Sequence, residues 1–255
     1  MKALNFMTTR FFKFVATISF VTGLAMLPAQ AQSLTGNVGS AGVTKAEQSV
    51  EARLGLDDEG NAASRIHYDN AFTDWYQLRL IGSFSKPDSE DWDLTGLTVE
   101  NWFQWSEEQA DNSGFNGGLR FAYGFAKDDG PDEAEVRLTL TDKFAGDWEW
   151  RSNLIAEIEA GDGSDGGVDL ELRGQISRAV NVSALGSDDW RLGVEVFSEL
   201  GNSRNIPGFD DQAHQVGPVV KIGWDNGVFV QSAVRVGITG GADDSMAKLF
   251  IGREF

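Results

Sequence analysis

The chain has no cysteine, five prolines and two histidines in 255 residues. Without cysteine there is no disulfide-stapled scaffold, no thiolate metal site and no cysteine nucleophile. With histidine only at His67 and His214, imidazole-based catalysis has few places to live. Basic residues are scarce too, 21 Lys and Arg against 39 Asp and Glu, and a net charge of −18 excludes nucleic acid as a partner. Beyond residue 31 no apolar stretch approaches the ~20 residues of a spanning helix. If this chain crosses a membrane, it does so as strands.

What is present starts with an export signal. Lys2, Arg10 and Lys13 form a positive start, Phe11 to Leu27 an apolar centre, and Pro28-Ala29-Gln30-Ala31 a small-x-small cleavage site. The expected layout is a cleaved signal peptide at 1–31, a flexible periplasmic lead-in at 32–47 and a β-domain at 48–255. Three of the 21 basic residues leave with the signal and none of the 39 acidic ones do, which moves the net charge from −18 to about −21.

Residues 48–255 read as segments with a period of two, separated by Gly, Asp, Asn and Pro clusters. Strands are expected near 48–57, 62–69, 75–84, 95–105, 115–125, 133–143, 148–160, 168–178, 190–200, 212–224, 227–238 and 246–255. Most match the ~9–11 residues of a tilted membrane strand. In 133–143 the face Ala134, Val136, Leu138, Leu140 opposes Glu135, Arg137, Thr139, Thr141; in 168–178, Val168, Leu170, Leu172 and Ile176 oppose Asp169, Glu171, Arg173 and Gln175. Both signs of charge share one face.

Alternation alone also suits a soluble sandwich, and the tryptophans separate the two. With both termini periplasmic, Trp75, Trp102, Trp105, Trp148, Trp150, Trp190 and Trp224 fall at periplasmic strand ends, and only Trp92 lies in an opposite loop. That sorting predicts an interfacial aromatic girdle. The fold expected is an all-β, transmembrane, antiparallel up-and-down barrel of about twelve strands.

The charged face then lines a lumen. The candidates for solute selectivity are Glu135, Arg137, Arg151, Glu157, Glu171, Arg173, Arg191, Glu195, Glu199, Gln215, Lys221 and Arg235. Such a wall is either wet or mutually paired, because unpaired buried charge costs several kcal/mol. The acidic outer loops read as a solvated surface, with loose cation bridging to lipopolysaccharide as the weaker option; no metal site and no cofactor is expected. Ser198 and His214 fall opposite each other on the outward parity, which resembles the Ser/His arrangement of outer-membrane phospholipases. Their short His-x-Ser pattern and following Asn are missing, and no enzyme activity is expected.

The last strand, MAKLFIGREF, ends in Phe255, and a terminal aromatic after alternating residues resembles the assembly signal of outer-membrane barrels. Together with GVEVFSELG at 193–201 and DDQAHQVGPVVKIGW at 210–224, it resembles a broad group of proteobacterial outer-membrane barrels labelled as transporters or phenol-pathway proteins, with Glu195, Glu199, Gln215 and Gly217 the positions to watch. The resemblance implies an outer-membrane location, handling by the barrel assembly machinery, contact with lipid and lipopolysaccharide, and passage of small solutes through a narrow porin-like channel. The rival is a non-conducting structural or surface-binding barrel whose acidic loops do the work.

Overall fold

The computed structural model describes residues 33–105, 114–127, 130–144, 147–161, 163, 164 and 166–255. The signal expected at 1–31 lies outside them, as do the centres of the turns near 106–114 and 144–147.

Twelve strands follow in series: β1 (Gln48–Asp57), β2 (Ala62–Ala71), β3 (Tyr76–Lys86), β4 (Asp93–Gln104), β5 (Gly114–Ala126), β6 (Asp132–Phe144), β7 (Trp148–Ala160), β8 (Asp169–Val180), β9 (Asp189–Asn202), β10 (Ala213–Gly223), β11 (Val228–Gly237) and β12 (Ser245–Glu254). Each pairs antiparallel with its neighbours in sequence, and β12 pairs back onto β1 to close the barrel. Every expected strand is present, with ends displaced by two residues at most. The closing seam runs from Ser49 opposite Glu254 to Asp57 opposite Met246, and Gln48 and Phe255 exchange backbone hydrogen bonds beyond it. Closure leaves no open edge, as backbone in a hydrocarbon core requires.

The pleat turns the sequence alternation into two surfaces. Leu97, Ile66 and Ile251, each more than half exposed, stand on the outer face with Leu80, Leu154, Leu172 and Val194. An apolar belt of this extent suits lipid and not water. Inward positions are polar and buried, among them Glu51, Arg53, Asp69, Glu100, Arg120, Asn153 and Glu195. Pro218 sits in register opposite Val194, and His214 lies opposite Ser198 on the outer parity. Gly217 beside it is obligatory, because a Cβ there would overlap the Val234 carbonyl.

Two expectations are corrected. Trp102 is at the expected level but on the other side of the wall. It is 5% exposed, faces the lumen and lies under the Arg120 guanidinium, 3.5 Å from its ring centroid. The reason is parity, since Phe103 in β4 and Trp105 just after it point outward, and Asn101, also outward, accepts a hydrogen bond from the Tyr76 hydroxyl at 3.0 Å. Trp75, Trp105, Trp148 and Trp150 are exposed at the end that carries Phe255, and Trp190 and Trp224 are half-buried there, with indole N–H groups donating to Ser187 and Leu185 carbonyls.

The second correction concerns the lead-in. Residues 33–43 are neither loose nor outside the barrel. Leu34, Thr35, Val38, Ala41 and Val43 are buried, and the segment runs through the lumen as a plug. Ser33 meets Arg235 and Glu199 near the loop-bearing end, and Leu34 packs with Ala63 and Met246; Val43 packs with Ala71 and Trp102 at the end carrying both termini of the sheet. Thr44 to Glu47 then turn into β1, where Ala46 donates to the Ala71 carbonyl.

In variants retaining one tryptophan each, a lipid brominated in its acyl chain should quench Trp75 and Trp105 strongly and leave Trp102 nearly unchanged. Equal quenching at all three would place Trp102 in lipid.

Candidate functional site

The site is the lumen together with the plug it holds. Four strands carry the same Glu-x-Arg pattern: Glu51 and Arg53 on β1, Glu135 and Arg137 on β6, Glu149 and Arg151 on β7, Glu171 and Arg173 on β8. A period of two puts both members of each pair on the inner face, one above the other. Each carboxylate accepts its arginine's Nε–H, at 2.5 Å for Glu51, Glu149 and Glu171 and 2.9 Å for Glu135. The pairing fixes the guanidinium while leaving other N–H donors directed toward the axis.

Across strands, Arg79 donates to Asp69 at 2.5 Å and to Glu100 at 3.4 Å, each directly opposite it in register. Glu195, fully buried, lies 2.6 Å from the Lys248 ammonium and 3.7 Å from Arg235 Nε. Phe197, two residues on, is ringed by cations: the guanidinium carbons of Arg235 and Arg173 lie 3.5 and 4.9 Å from its centroid and Lys248 Nζ lies at 4.8 Å. These are close, desolvated cation–π contacts.

The donors left over are used by the plug backbone. Arg235 donates to the Ser33 carbonyl at 2.9 Å, Arg53 to Thr35 at 3.3 Å, Lys248 to Gly36 at 2.9 Å and Arg173 to Asn37 at 3.4 Å. Arg151 donates to Val38 at 3.5 Å, Asn153 to Gly39 at 2.9 Å and Arg120 to Ser40 at 3.0 Å. Seven of the eight carbonyls from residue 33 to 40 therefore accept from the wall. In return Gly39 N–H donates to Asn153 Oδ1 at 2.8 Å, Ala41 to Thr141 at 3.0 Å and Val43 to Gln104 at 2.5 Å. Small residues allow the approach. A Cβ on Gly39 would overlap the Arg120 guanidinium, and one on Gly36 would come within 2.8 Å of the Phe197 ring.

Two spaces remain. A cavity of about 180 Å³, lined by plug residues between Gly36 and Gly42, by the walls of β1 to β5 and by Arg137, Arg151, Arg173 and Lys221, reaches the rim at Glu47 and Glu254. Burial and the nearby Glu254 carboxylate push the Glu47 carboxyl above its ordinary range. At the opposite end a cavity of about 140 Å³ is lined by Ser33, Glu157, Asp169, Glu171 and Glu199. At the β1–β2 and β11–β12 loops like charges crowd: burial and the carboxylates of Asp57, Glu59 and Asp58 push Asp243 up.

Of the sequence candidates, Arg151, Arg173 and Arg235 meet in contact with the plug. Glu135, Arg137, Glu171, Glu195 and Gln215 lie on the inner wall, and Glu157 and Glu199 line the vestibule. Lys221 faces the larger cavity, with its ammonium 4.8 Å from the Phe229 ring centroid. Arg191 is at the rim and donates to the Asp147 carbonyl. Sequence reasoning missed the plug itself, Asn153, Gln104, Lys248, Phe197 and the arginine-facing side of Trp102. Two signals were there to be used: the fourfold Glu-x-Arg repeat, and eleven consecutive uncharged residues, SLTGNVGSAGV, in a chain 24% charged. The Ser198–His214 juxtaposition is real in register, yet His214 Nε2 is buried with no hydrogen-bond partner and its ring stacks on Phe209 at 4.4 Å. A serine nucleophile and its base need about 2.6–3.2 Å between them, and here that bond is not formed.

A closed twelve-stranded barrel with an apolar outer belt and a charged lumen has the architecture of bacterial outer-membrane channels. Comparison with solved structures agrees. The chain is similar to an outer membrane channel from Pseudomonas putida (TM-score 0.61, 11% identity, 86% of this chain and 100% of that one). It is also similar to the KdgM porin (0.58, 12%, 81% and 99%) and to the NanC porin (0.53, 11%, 81% and 98%). At these identities the likeness shows the fold. No family model and no curated protein matches the sequence.

The chain has no cysteine, so a reporter thiol introduced by Ala41→Cys reads plug seating directly. Asn153→Ala removes both hydrogen bonds between this side chain and Gly39 of the plug, and a loss of about 1.4 kcal/mol is a tenfold shift in an opening equilibrium. Labelling of that thiol by a soluble reagent should be slow when Ala41→Cys is the only change and about tenfold faster when Asn153→Ala or Gly39→Val is added. Unchanged rates would mean that this contact does not hold the segment.

Proposed function

We propose that the protein is a narrow outer-membrane channel for small polar solutes whose lumen is occupied, in the state described, by its own residues 33–43. One observation carries the reading: the barrel admits a polypeptide segment along its axis. The space that the plug fills is continuous from Ser33 at the loop end to Val43 at the opposite rim, so its withdrawal leaves a path of that cross-section. The donors that hold its carbonyls would then face solute oxygens.

The reading places the barrel in the outer membrane, with Phe255 and the aromatic ends periplasmic and the acidic loops outside. Short connections and the aromatic girdle at the Phe255 end support that orientation. Its partners are lipid and lipopolysaccharide, the barrel assembly machinery during insertion, and the solute. The role is non-enzymatic, supported by the unbonded Ser198–His214 pair. A non-conducting structural barrel is the second reading, and the many hydrogen bonds that hold the plug favour it as long as the plug stays seated.

Single-channel recording in a planar bilayer separates the two. Deletion of residues 33–43 should give discrete steps several-fold larger than those of the intact chain. If both proteins insert folded and both are silent, the channel reading fails and the barrel is structural.

A further inference from the structure

The larger lumen cavity is lined by eight cationic side chains against five carboxylates, in a chain whose net charge is −18. The inversion has a structural cause. In the Glu-x-Arg pairs of β6, β7 and β8 the arginines Arg137, Arg151 and Arg173 reach the cavity, while their partners Glu135, Glu149 and Glu171 do not. The pairs are neutral as pairs, but their positive ends face the axis.

Several donors in this cavity are unused. His67 is 1% exposed, lines the cavity, and neither ring nitrogen has a hydrogen-bond partner; Glu51, opposite it in register, is 3.8 Å from Nδ1. Arg120 gives one N–H to the Ser40 carbonyl, but its Nε is buried and unpartnered, with Glu100 at 3.8 Å from Nη1. Lys221 has no carboxylate within 4 Å among the described residues. Arg79, next to Arg120, has its guanidinium carbon 5.5 Å from the Trp102 ring that Arg120 also covers. A buried imidazole and a buried guanidinium Nε without partners, in the wall of a cavity where cations are in excess, favour an acceptor that carries negative charge. Planar forked donors match an oxyanion better than a halide.

We propose that this cavity is a binding site for a small dissolved oxyanion, of phosphate or short-carboxylate size, held by His67, Arg79 and Arg120 beside Trp102. The volume of about 180 Å³ sets the size limit, since it equals roughly six waters at ~30 Å³ each. The plug forms one wall through Gly39, Ser40 and Gly42, so the site exists with the plug seated. The inference deepens the channel reading by naming the solute class, but it concerns binding and does not require conduction.

Isothermal titration calorimetry of the protein purified from membranes in detergent, with inorganic phosphate at constant ionic strength, tests it. Saturable binding is expected, at least tenfold weaker in Arg120→Gln and in His67→Phe and unchanged in Lys127→Gln, whose target lies in an exposed outer loop and pairs with Asp93. Acetate should compete, and glucose, which carries no charge, should not. Absence of saturable binding overturns the proposal. So does equal affinity in Arg120→Gln and His67→Phe that keep the folded, heat-modifiable form. Should those variants misfold, glucose displacing phosphate from the parent protein would overturn the anion assignment by itself. Phosphate binding in a protein that is electrically silent after plug deletion would sink the channel reading and leave the site standing.

Discussion

The structure depends on how its buried guanidiniums are satisfied. A guanidinium offers five N–H donors, and one carboxylate accepts at most two in a forked pair. Inside a lumen this full, little water is at hand to take the rest. Glu-x-Arg pairing on four strands neutralises the wall and freezes the arginine orientations, and the remaining donors converge on the axis. The backbone carbonyls of residues 33–40 meet that demand. Charge pairing thus builds the wall, and the hydrogen bonds left over select what fills it.

The barrel was legible in the sequence because the two-residue period is imposed by the pleat and by lipid, which tolerates no charge on one face. Strand number, order and closure all followed from that one constraint. Trp102 was misplaced because its level along the axis was read correctly and its parity was not; the outward Asn101 beside it was the clue. The plug escaped notice for a different reason. Its hydrogen bonds link Gly39 to Asn153 and Lys248 to Gly36, residues separated by 114 and 212 positions, and such contacts leave no local pattern. What local signal exists, small uncharged residues, is shared by ordinary linkers.

Close approach explains why that composition is required. At the tightest points the wall leaves no room for a side chain, and Gly36 and Gly39 sit there, against Phe197 and Arg120. Leu34 and Val43 act as apolar anchors at the two ends, one with Ala63 and Met246, the other with Ala71 and Trp102. Between them the segment is recognised mainly through its backbone, with Gln231 also donating to Asn37 Oδ1 at 3.2 Å.

Recognition of that kind is strong per bond and weak in sum. A hydrogen bond to a charged donor contributes about 1.5–3 kcal/mol, and fixing one residue of backbone costs about 1–2 kcal/mol. The two are of similar size, and the segment makes close to one wall bond per residue. A plug held this way is ordered without being locked. It differs from the wall pairs, where removing one partner leaves an uncompensated buried charge at a cost of about 3–5 kcal/mol. The barrel therefore joins a wall that resists rearrangement to a filling that does not. Withdrawing the filling would expose guanidinium edges that are already oriented, so a solute oxygen entering the lumen would find its donors in place and little reorganisation to drive.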